Sequence, residues 1–308
     1  MESITPKIRP EGTRWLRSDG KPNWSQRVTR LTGELESVCS KPAITVQSSS
    51  TVMEAAETIA RHNVRGLPVT GLGKVVGTLT ANDLVDYLGG GSYFEIVVRR
   101  HEGNIFRALK EERVSSISRE TPVVTLEDSL QAALDLMIVR GIGLLPLVDE
   151  EQRPVGVITE HDLLKLVLDR KIGVKVSELF SSPIVTVGKN DSLKRAAELI
   201  ARTGFRRLVV AEGDEVVGSV SAKGFVSFFG THRAFKYLKS TSISDVLALN
   251  VSEIVEEGFY AIDHEADLGE AGEEMLRKGT NWLLVTRGSE AIGIITERDI
   301  VTALALEV

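Results

Sequence analysis

Val155-Gly156-Val157-Ile158-Thr159-Glu160-His161-Asp162 reads as an apolar strand entered through a glycine and closed by a threonine, with an aspartate three residues further on. The phrase returns as Val76-Gly77-Thr78-Leu79-Thr80-Ala81-Asn82-Asp83, as Val217-Gly218-Ser219-Val220-Ser221-Ala222-Lys223-Gly224, and as Ile292-Gly293-Ile294-Ile295-Thr296-Glu297-Arg298-Asp299. Its glycines lie 79, 62 and 75 residues apart. That period is too long for a solenoid turn and long enough for a small α/β unit, so the chain is a fourfold internal repeat. Three of the four copies hold a hydroxyl and a carboxylate together where a strand turns into a helix.

Working outward from the phrase, the second copy shows the whole unit. Val123-Val124-Thr125-Leu126 reads as a short strand, and Asp128 or Ser129 caps a helix whose Leu130, Ala133, Leu134, Met137 and Ile138 recur at helical spacing. Gly141 and Gly143 punctuate its end. Leu144-Leu145-Pro146-Leu147-Val148 is a second strand, a polar turn at Asp149-Glu150-Glu151-Gln152 follows, and the phrase supplies the third strand and the start of a last helix. The order is strand, helix, strand, strand, helix, with a short helical lead such as Val114-Ser115-Ser116-Ile117 in front. It recurs from Pro42, from Pro183 and, more loosely, from Phe259.

This order resembles the cystathionine-beta-synthase (CBS) domain family over about residues 35–308. The leading strand of the Pro42-Ala43-Ile44-Thr45-Val46 type, the middle strand of the Gly66-Leu67-Pro68-Val69 type and the Gly-x-x-Thr-x-x-Asp ending carry the resemblance. It implies an α/β (α+β) fold of four CBS repeats paired into two Bateman modules. The expected divisions are an N-terminal extension over 1–34, repeat 1 over 35–88, a joint over 89–112, repeat 2 over 113–172, repeat 3 over 173–230 and repeat 4 over 231–308. Four such domains without a catalytic domain resemble the gamma subunit of AMP-activated protein kinase and the stand-alone four-domain proteins of archaea. The assembly implied is a monomeric disk or a homodimer.

What the resemblance implies about ligands is an adenosyl group in the clefts. A ribose offers two adjacent hydroxyls, and one fixed carboxylate can accept from both through charge-assisted hydrogen bonds. Asp83, Asp162 and Asp299 suit that role, with Thr80, Thr159 and Thr296 beside phosphate or the ribose edge and the helix start favouring an anion. A purine needs an apolar slot, for which Leu67, Pro68, Leu145 and Pro146, beside Ile44, Thr45, Val124 and Thr125, are the candidates. The alternative for the recurring pair is an aspartate that caps the helix and a threonine that ends the strand.

The copies differ. Repeat 3 has Gly224 where the carboxylate is expected, so its own ribose site reads as defective and three sites as the ceiling. Arg206 and Arg207 precede its middle strand, where gamma-like proteins carry basic residues that reach phosphates, and Arg65 holds the matching place in repeat 1. His161 and Arg298, each directly before an aspartate, are further phosphate candidates or else solvated surface. Repeat 4 has Ala261 where Thr45, Thr125 and Thr186 are read in its relatives.

Composition narrows the function class. With 42% hydrophobic and 26% charged residues the chain has the make-up of a soluble globular protein. It holds no run near the roughly 18 apolar residues of a membrane span and does not open like a signal or transit peptide. The expectation is a cytoplasmic protein without a membrane partner. Cys39, the single cysteine, excludes an internal disulfide and reads as a small buried apolar residue. A net charge of −6 argues against a chain built on a nucleic-acid backbone. The first 34 residues are locally basic, with seven Lys or Arg against four acids around Trp15 and Trp24, a pattern that either docks a partner or tacks the extension onto the repeats.

Enzymatic signatures are missing. Gly71-Leu72-Gly73-Lys74-Val75-Val76-Gly77 has one residue too many for a dinucleotide loop and reads as a turn between strands. The five histidines show no paired metal-ligand spacing, so no metal site is expected. Glu111-Glu112, Glu256-Glu257 and Glu273-Glu274 read as solvated faces. The leading expectation is a non-catalytic, energy-sensing regulator that binds AMP, ADP or ATP, requires no cofactor beyond magnesium accompanying ATP, and acts on an unidentified effector protein. Two other readings stay open: an interaction scaffold or RNA/DNA-associated protein, and a receptor for S-adenosylmethionine or methylthioadenosine.

Overall fold

The computed structural model describes residues 35–305, apart from Asp169 and Asp214. The basic extension with Trp15 and Trp24 lies outside the described residues. Four small sheets share one plan, in which the first strand runs parallel to the middle one and the middle one antiparallel to the third. Repeat 1 orders strand Val46–Gln47, helix Val52–His62, strands Gly66–Gly71 and Lys74–Thr80, and helix Ala81–Gly89. The Gly71-Leu72-Gly73-Lys74 stretch is the expected turn: Gly71 pairs with Lys74 across it, and Leu72 and Gly73 take φ values of 51° and 81°.

Local signals explain the helices. Thr51 caps Val52–His62 by accepting from Glu54 N–H at 3.1 Å, while Glu54 Oε2 accepts from Thr51 N–H at 2.8 Å. Val52, Met53, Ala55, Ala56 and Ile59 recur on its buried face. In repeat 2 the cap is Ser129, whose Oγ accepts from Ala132 N–H at 3.2 Å. Leu67, Val69 and Leu79 alternate onto the covered side of the first sheet and are fully buried, each stabilising by roughly 1.5–3 kcal/mol.

Contacts divide the chain into two compact units, each holding alternate repeats. One contains Ile44–Thr121 and Val185–Gly258, and its core joins the helices of repeats 1 and 3. Helix Ala222–Gly230 packs on Val52–His62, and helix Leu193–Thr203 packs on Ala81–Gly89. The other contains Pro122–Ile184 and, of the described residues, 35–43 and 259–305; there helix Leu268–Lys278 packs on the turn Leu164–Val167, so that repeats 2 and 4 are joined.

The short helical leads are exchanged. Val114–Ser116 stands before repeat 2 in sequence, yet Val114 N–H donates to Ser50 O at 2.9 Å and Ser115 N–H to Ser48 O at 3.0 Å, so it packs on repeat 1. The same holds throughout: Ser40 bridges to Val157, Arg119 to Thr78, Ser181 to Ile294, and Glu256 pairs with Ser219. Repeats 1 and 2 therefore exchange leaders, as do repeats 3 and 4. The glycine of the phrase makes room for this crossing. A Cβ on Gly77 or Gly218 would fall inside 3.0 Å of the carbonyl oxygen of Arg119 or Glu256, closer than real Cβ atoms approach.

Two expectations change here. The single amphipathic stretch Phe94 to Leu109 is two helices, Phe94–His101 and Ile105–Lys110, because Glu102 and Gly103 turn left-handed and Asn104 caps the second helix. Cys39 is only partly buried at the rim of its core; burial pushes its thiol up. No helix among the described residues is long and apolar enough to cross a membrane.

Candidate binding site at the strand-to-helix turns

Each third strand ends in a hydroxyl at the start of the final helix. Thr80 Oγ1 accepts from Asp83 N–H at 3.3 Å, and Asp83 Oδ2 accepts in return from the Thr80 N–H at 2.8 Å and hydroxyl at 2.5 Å. Thr159 and Asp162 repeat this at 3.4, 2.9 and 2.6 Å. Thr296 N–H and hydroxyl donate to Asp299 Oδ2 at 2.9 and 2.8 Å. In this capping box the threonine is the cap and the aspartate its third helical residue, the reverse of the capping alternative read from sequence.

One oxygen of each carboxylate is thus committed to the turn, which orients the other. Asp83 Oδ1 meets Arg119 Nε at 2.5 Å, and Asp162 Oδ1 accepts from Ser40 Oγ at 2.7 Å and from Lys165 Nζ at 3.3 Å. Both aspartates are 3% exposed. Arg119 and Ser40 are leader residues lent by the sequence neighbour, and spacing along the chain gave no signal of them. Ser181 holds the equivalent place beside repeat 4, exchanging backbone hydrogen bonds with Ile294 at 2.7 and 3.0 Å.

At repeat 3 the Ser221 hydroxyl accepts from Gly224 N–H at 3.0 Å and donates to Glu256 Oε1 at 2.7 Å. Glu256 Oε2 pairs with Arg207 at 2.6 Å, and Arg207 also donates to Ser219 Oγ. Partial burial works against the Glu256 charge, but the Arg207 guanidinium and the Ser221 hydroxyl outweigh it and hold the carboxyl below its usual range. Glu256 thus lies on an exposed strand with its carboxylate engaged by the turn, whereas Glu112 is not on a solvated face: it is 6% exposed and bonded to His101 Nε2 at 2.9 Å and Ser116 Oγ at 2.6 Å.

The basic candidates separate. Arg65 and Arg206 occupy matching places, their carbonyls each accepting the first N–H of the final helix, from Ala81 and Ala222, at 2.9 Å. His161 and Arg298 are each held by a buried acid of another repeat. His161 Nδ1 lies 2.7 Å from Glu297, and Arg298 Nε donates to Glu160 at 2.7 Å, with its Nη2 on Gly141 O at 2.9 Å. Glu160 and Glu297 are 3% and 2% exposed, so these crossed pairs join repeats 2 and 4 inside their unit.

The adenine candidates divide by strand register. Leu67 and Leu145 are fully buried and Val124 nearly so, all in the cores, whereas Pro68 and Pro146 alternate to the other side of their strands. Val46 pairs with Val69 and Val124 with Leu147, so Val124 is the counterpart of Val46. The residue matching Thr45 in repeat 2 is consequently Val123, while Thr125 matches Gln47 and holds Asp128 Oδ2 through its N–H and hydroxyl. Thr186 and Ala261 do match Thr45. A separate open hollow of about 680 Å³ is lined by Asp86, Glu95, Glu198 and Arg202 among others, an acidic excess unsuited to phosphate.

The family model for the CBS domain matches residues 35–90, 114–169, 176–230 and 251–306. The chain belongs to the CBS-domain family. It is similar to an uncharacterized 33.4 kDa protein in the ribosomal RNA operon of Thermofilum pendens, 33% identical over 264 residues, which cover 85% of this chain and 88% of that one. Protein MJ1225 of Methanocaldococcus jannaschii is 28% identical over 271 residues, 86% of this chain and 96% of its own length. Its crystal structure, described as that of a candidate archaeal homologue of the gamma subunit of AMP-activated protein kinase, matches with a TM-score of 0.80 at 26% identity, covering 88% of this chain and 99% of that one. The gamma-3 subunit of bovine AMP-activated protein kinase is 25% identical over 195 residues, 59% of this chain and 38% of that subunit.

Proposed function

We propose that this CBS-domain protein is a non-catalytic regulator that binds adenine nucleotides, AMP, ADP or ATP, at its strand-to-helix turns. The observation that carries the reading is the divided duty of Asp83 and Asp162. Each uses Oδ2 to hold the turn and turns Oδ1 toward exchangeable polar partners, Arg119 in one case and Ser40 with Lys165 in the other. Two ribose hydroxyls are such partners, and the charged acceptor makes each bond worth roughly 1.5–3 kcal/mol. Thr80, Thr159 and Thr296 stand at helix starts that favour phosphate charge, and Arg65 and Arg206 add cations at the same end of the sheet. The relatives named for the gamma subunit favour the same ligand class. Regulation then requires that nucleotide prefer one state of the chain or of its effector complex.

Calorimetry and thermal shift with AMP, ADP, ATP, adenosine, methylthioadenosine, S-adenosylmethionine, GMP and a short oligonucleotide test this. Tight binding of phosphorylated adenosines supports it, whereas preference for the sulfonium or thioether ligands moves the specificity to that class. Failure of every adenosyl ligand at millimolar concentration defeats the reading.

A further inference from the structure

All four turns are crossed at one register by a neighbour's leader residue: Ser40 at repeat 2, Arg119 at repeat 1, Ser181 at repeat 4 and Glu256 at repeat 3. Where the repeat has its own aspartate, the leader residue is neutral or basic. Where the aspartate is replaced by Gly224, the leader residue is a glutamate. Each turn therefore has one carboxylate from these two positions, and none has two.

The geometry of repeat 3 makes this exchange concrete. Glu256 Oε1 accepts from the hydroxyl of Ser221, the residue that caps the helix as Thr80 and Thr159 do. A Cβ built on Gly224 would stand 3.2 Å from that same oxygen, so the lent carboxylate lies against the space an aspartate side chain would enter. The strand Glu256–Glu257, antiparallel to Glu215–Ser221, fixes the approach. Arg207 on Oε2 completes an acid–arginine pair like that of Asp83 and Arg119, with the two sources exchanged: here the acid comes from the leader and the base from the repeat.

We propose that repeat 3 carries a fourth site for a ribose-bearing ligand, whose carboxylate is Glu256 lent by the leader of repeat 4. The assignment rests on the nucleotide-binding reading above and replaces the ceiling of three sites that Gly224 implied. Gly224 is then the condition for the lent carboxylate, because a second carboxylate at 224 would crowd and repel it.

Crystals of the full chain grown with adenosine, combined with site-resolved titration, test the proposal. Nucleoside should fill repeat 3 with its ribose hydroxyls on Glu256, and Glu256→Gln should weaken that site about ten- to hundredfold while the other three hold. The double variant Gly224→Asp with Glu256→Ser, which copies the Asp162 and Ser40 arrangement, should restore binding. Repeat 3 remaining empty while other turns fill, or Glu256→Gln binding as well as the parent, overturns the proposal and leaves the broader reading intact. If no turn takes adenosine, AMP or any other adenosyl ligand, both fall. Should Glu256→Gln melt early, the double variant decides: a stable chain that fails to bind at repeat 3 overturns it.

Discussion

Arg119 Nε stands 2.5 Å from Asp83 Oδ1, reaching from the leader of repeat 2 onto the helix start of repeat 1. The arginine is 59% exposed and leans over the Tyr93 ring at 5.8 Å, while the aspartate beneath it is buried. A nucleoside that needs Oδ1 competes with this guanidinium. Arg119→Ala should strengthen adenosine binding at repeat 1, by up to about fivefold, since an ion pair with an exposed partner is worth roughly 0–1 kcal/mol. Site-resolved titration reads the change, and weaker binding there would make Arg119 a ligand contact instead of a competitor.

Asp162 allows binding and capping to be separated. Asp162→Asn keeps an oxygen for the Thr159 N–H and removes the charge, so folding should change little while adenosine and AMP both weaken about ten- to hundredfold at repeat 2. Asp162→Ala should add the loss of the turn contacts, about 0.5–2 kcal/mol of stability by analogy with a lost cap. If both variants bind adenosine normally and only the alanine chain melts early, the carboxylate serves the helix alone.

The order of elements was legible because it is written locally. Period, turn residues and hydroxyl caps such as Thr51 and Ser129 act within a few residues, so the sequence shows them. The leader exchange was not legible. Arg119 reaches Thr78, and Glu256 reaches Ser219, across stretches with no shared period, and nothing in Glu256-Glu257 distinguishes a lent carboxylate from a solvated face. For the same reason nothing in the sequence joins His161 and Arg298 to their partners, which are buried acids of another repeat.

The crossing predicts an unequal response to adding one methyl group. Gly218→Ala and Gly77→Ala press on the leader's backbone, which cannot rotate away, and should cost about 1–3 kcal/mol each. At Gly156 the nearest backbone atom, Ser40 O, is 3.0 Å from the added carbon, so Gly156→Ala should cost less. Chemical denaturation of the three variants checks the order, and an equal loss in all three would remove the leader contact as its cause.

Asp135, on helix Leu130–Val139, has a carboxyl pushed up to about 6 by burial, and its Oδ1 is buried without a hydrogen bond. Its unfolded value is near 3.9, so between about pH 4 and 6 the folded chain binds the extra proton. Stability from this group therefore falls as pH rises through that window and is recovered on acidification. Asp135→Asn should raise the melting temperature at pH 7.5, with the gain shrinking toward pH 4. A gain of equal size at both pH values would rule out ionisation as its source.

Arg206, just before the middle strand of repeat 3, and Arg207, its first residue, should part company when removed. Arg65→Ala and Arg206→Ala take a cation from matching places beside the helix start, so AMP, and more so ADP or ATP, should weaken while adenosine stays nearly unchanged. Arg207 is also the partner of Glu256 and Ser219, with a side chain only 15% exposed. Its removal leaves a carboxylate that partial burial already disfavours without its guanidinium, so Arg207→Ala should lower the apo melting temperature and raise the Glu256 pKa, weakening adenosine at repeat 3 as pH falls. Adenosine and AMP titrations at two pH values, with a ligand-free melt, distinguish the cases. If Arg207→Ala spares apo stability and weakens only phosphorylated ligands, Arg207 acts as a phosphate contact like Arg206, and its pairing with Glu256 contributes nothing to the turn.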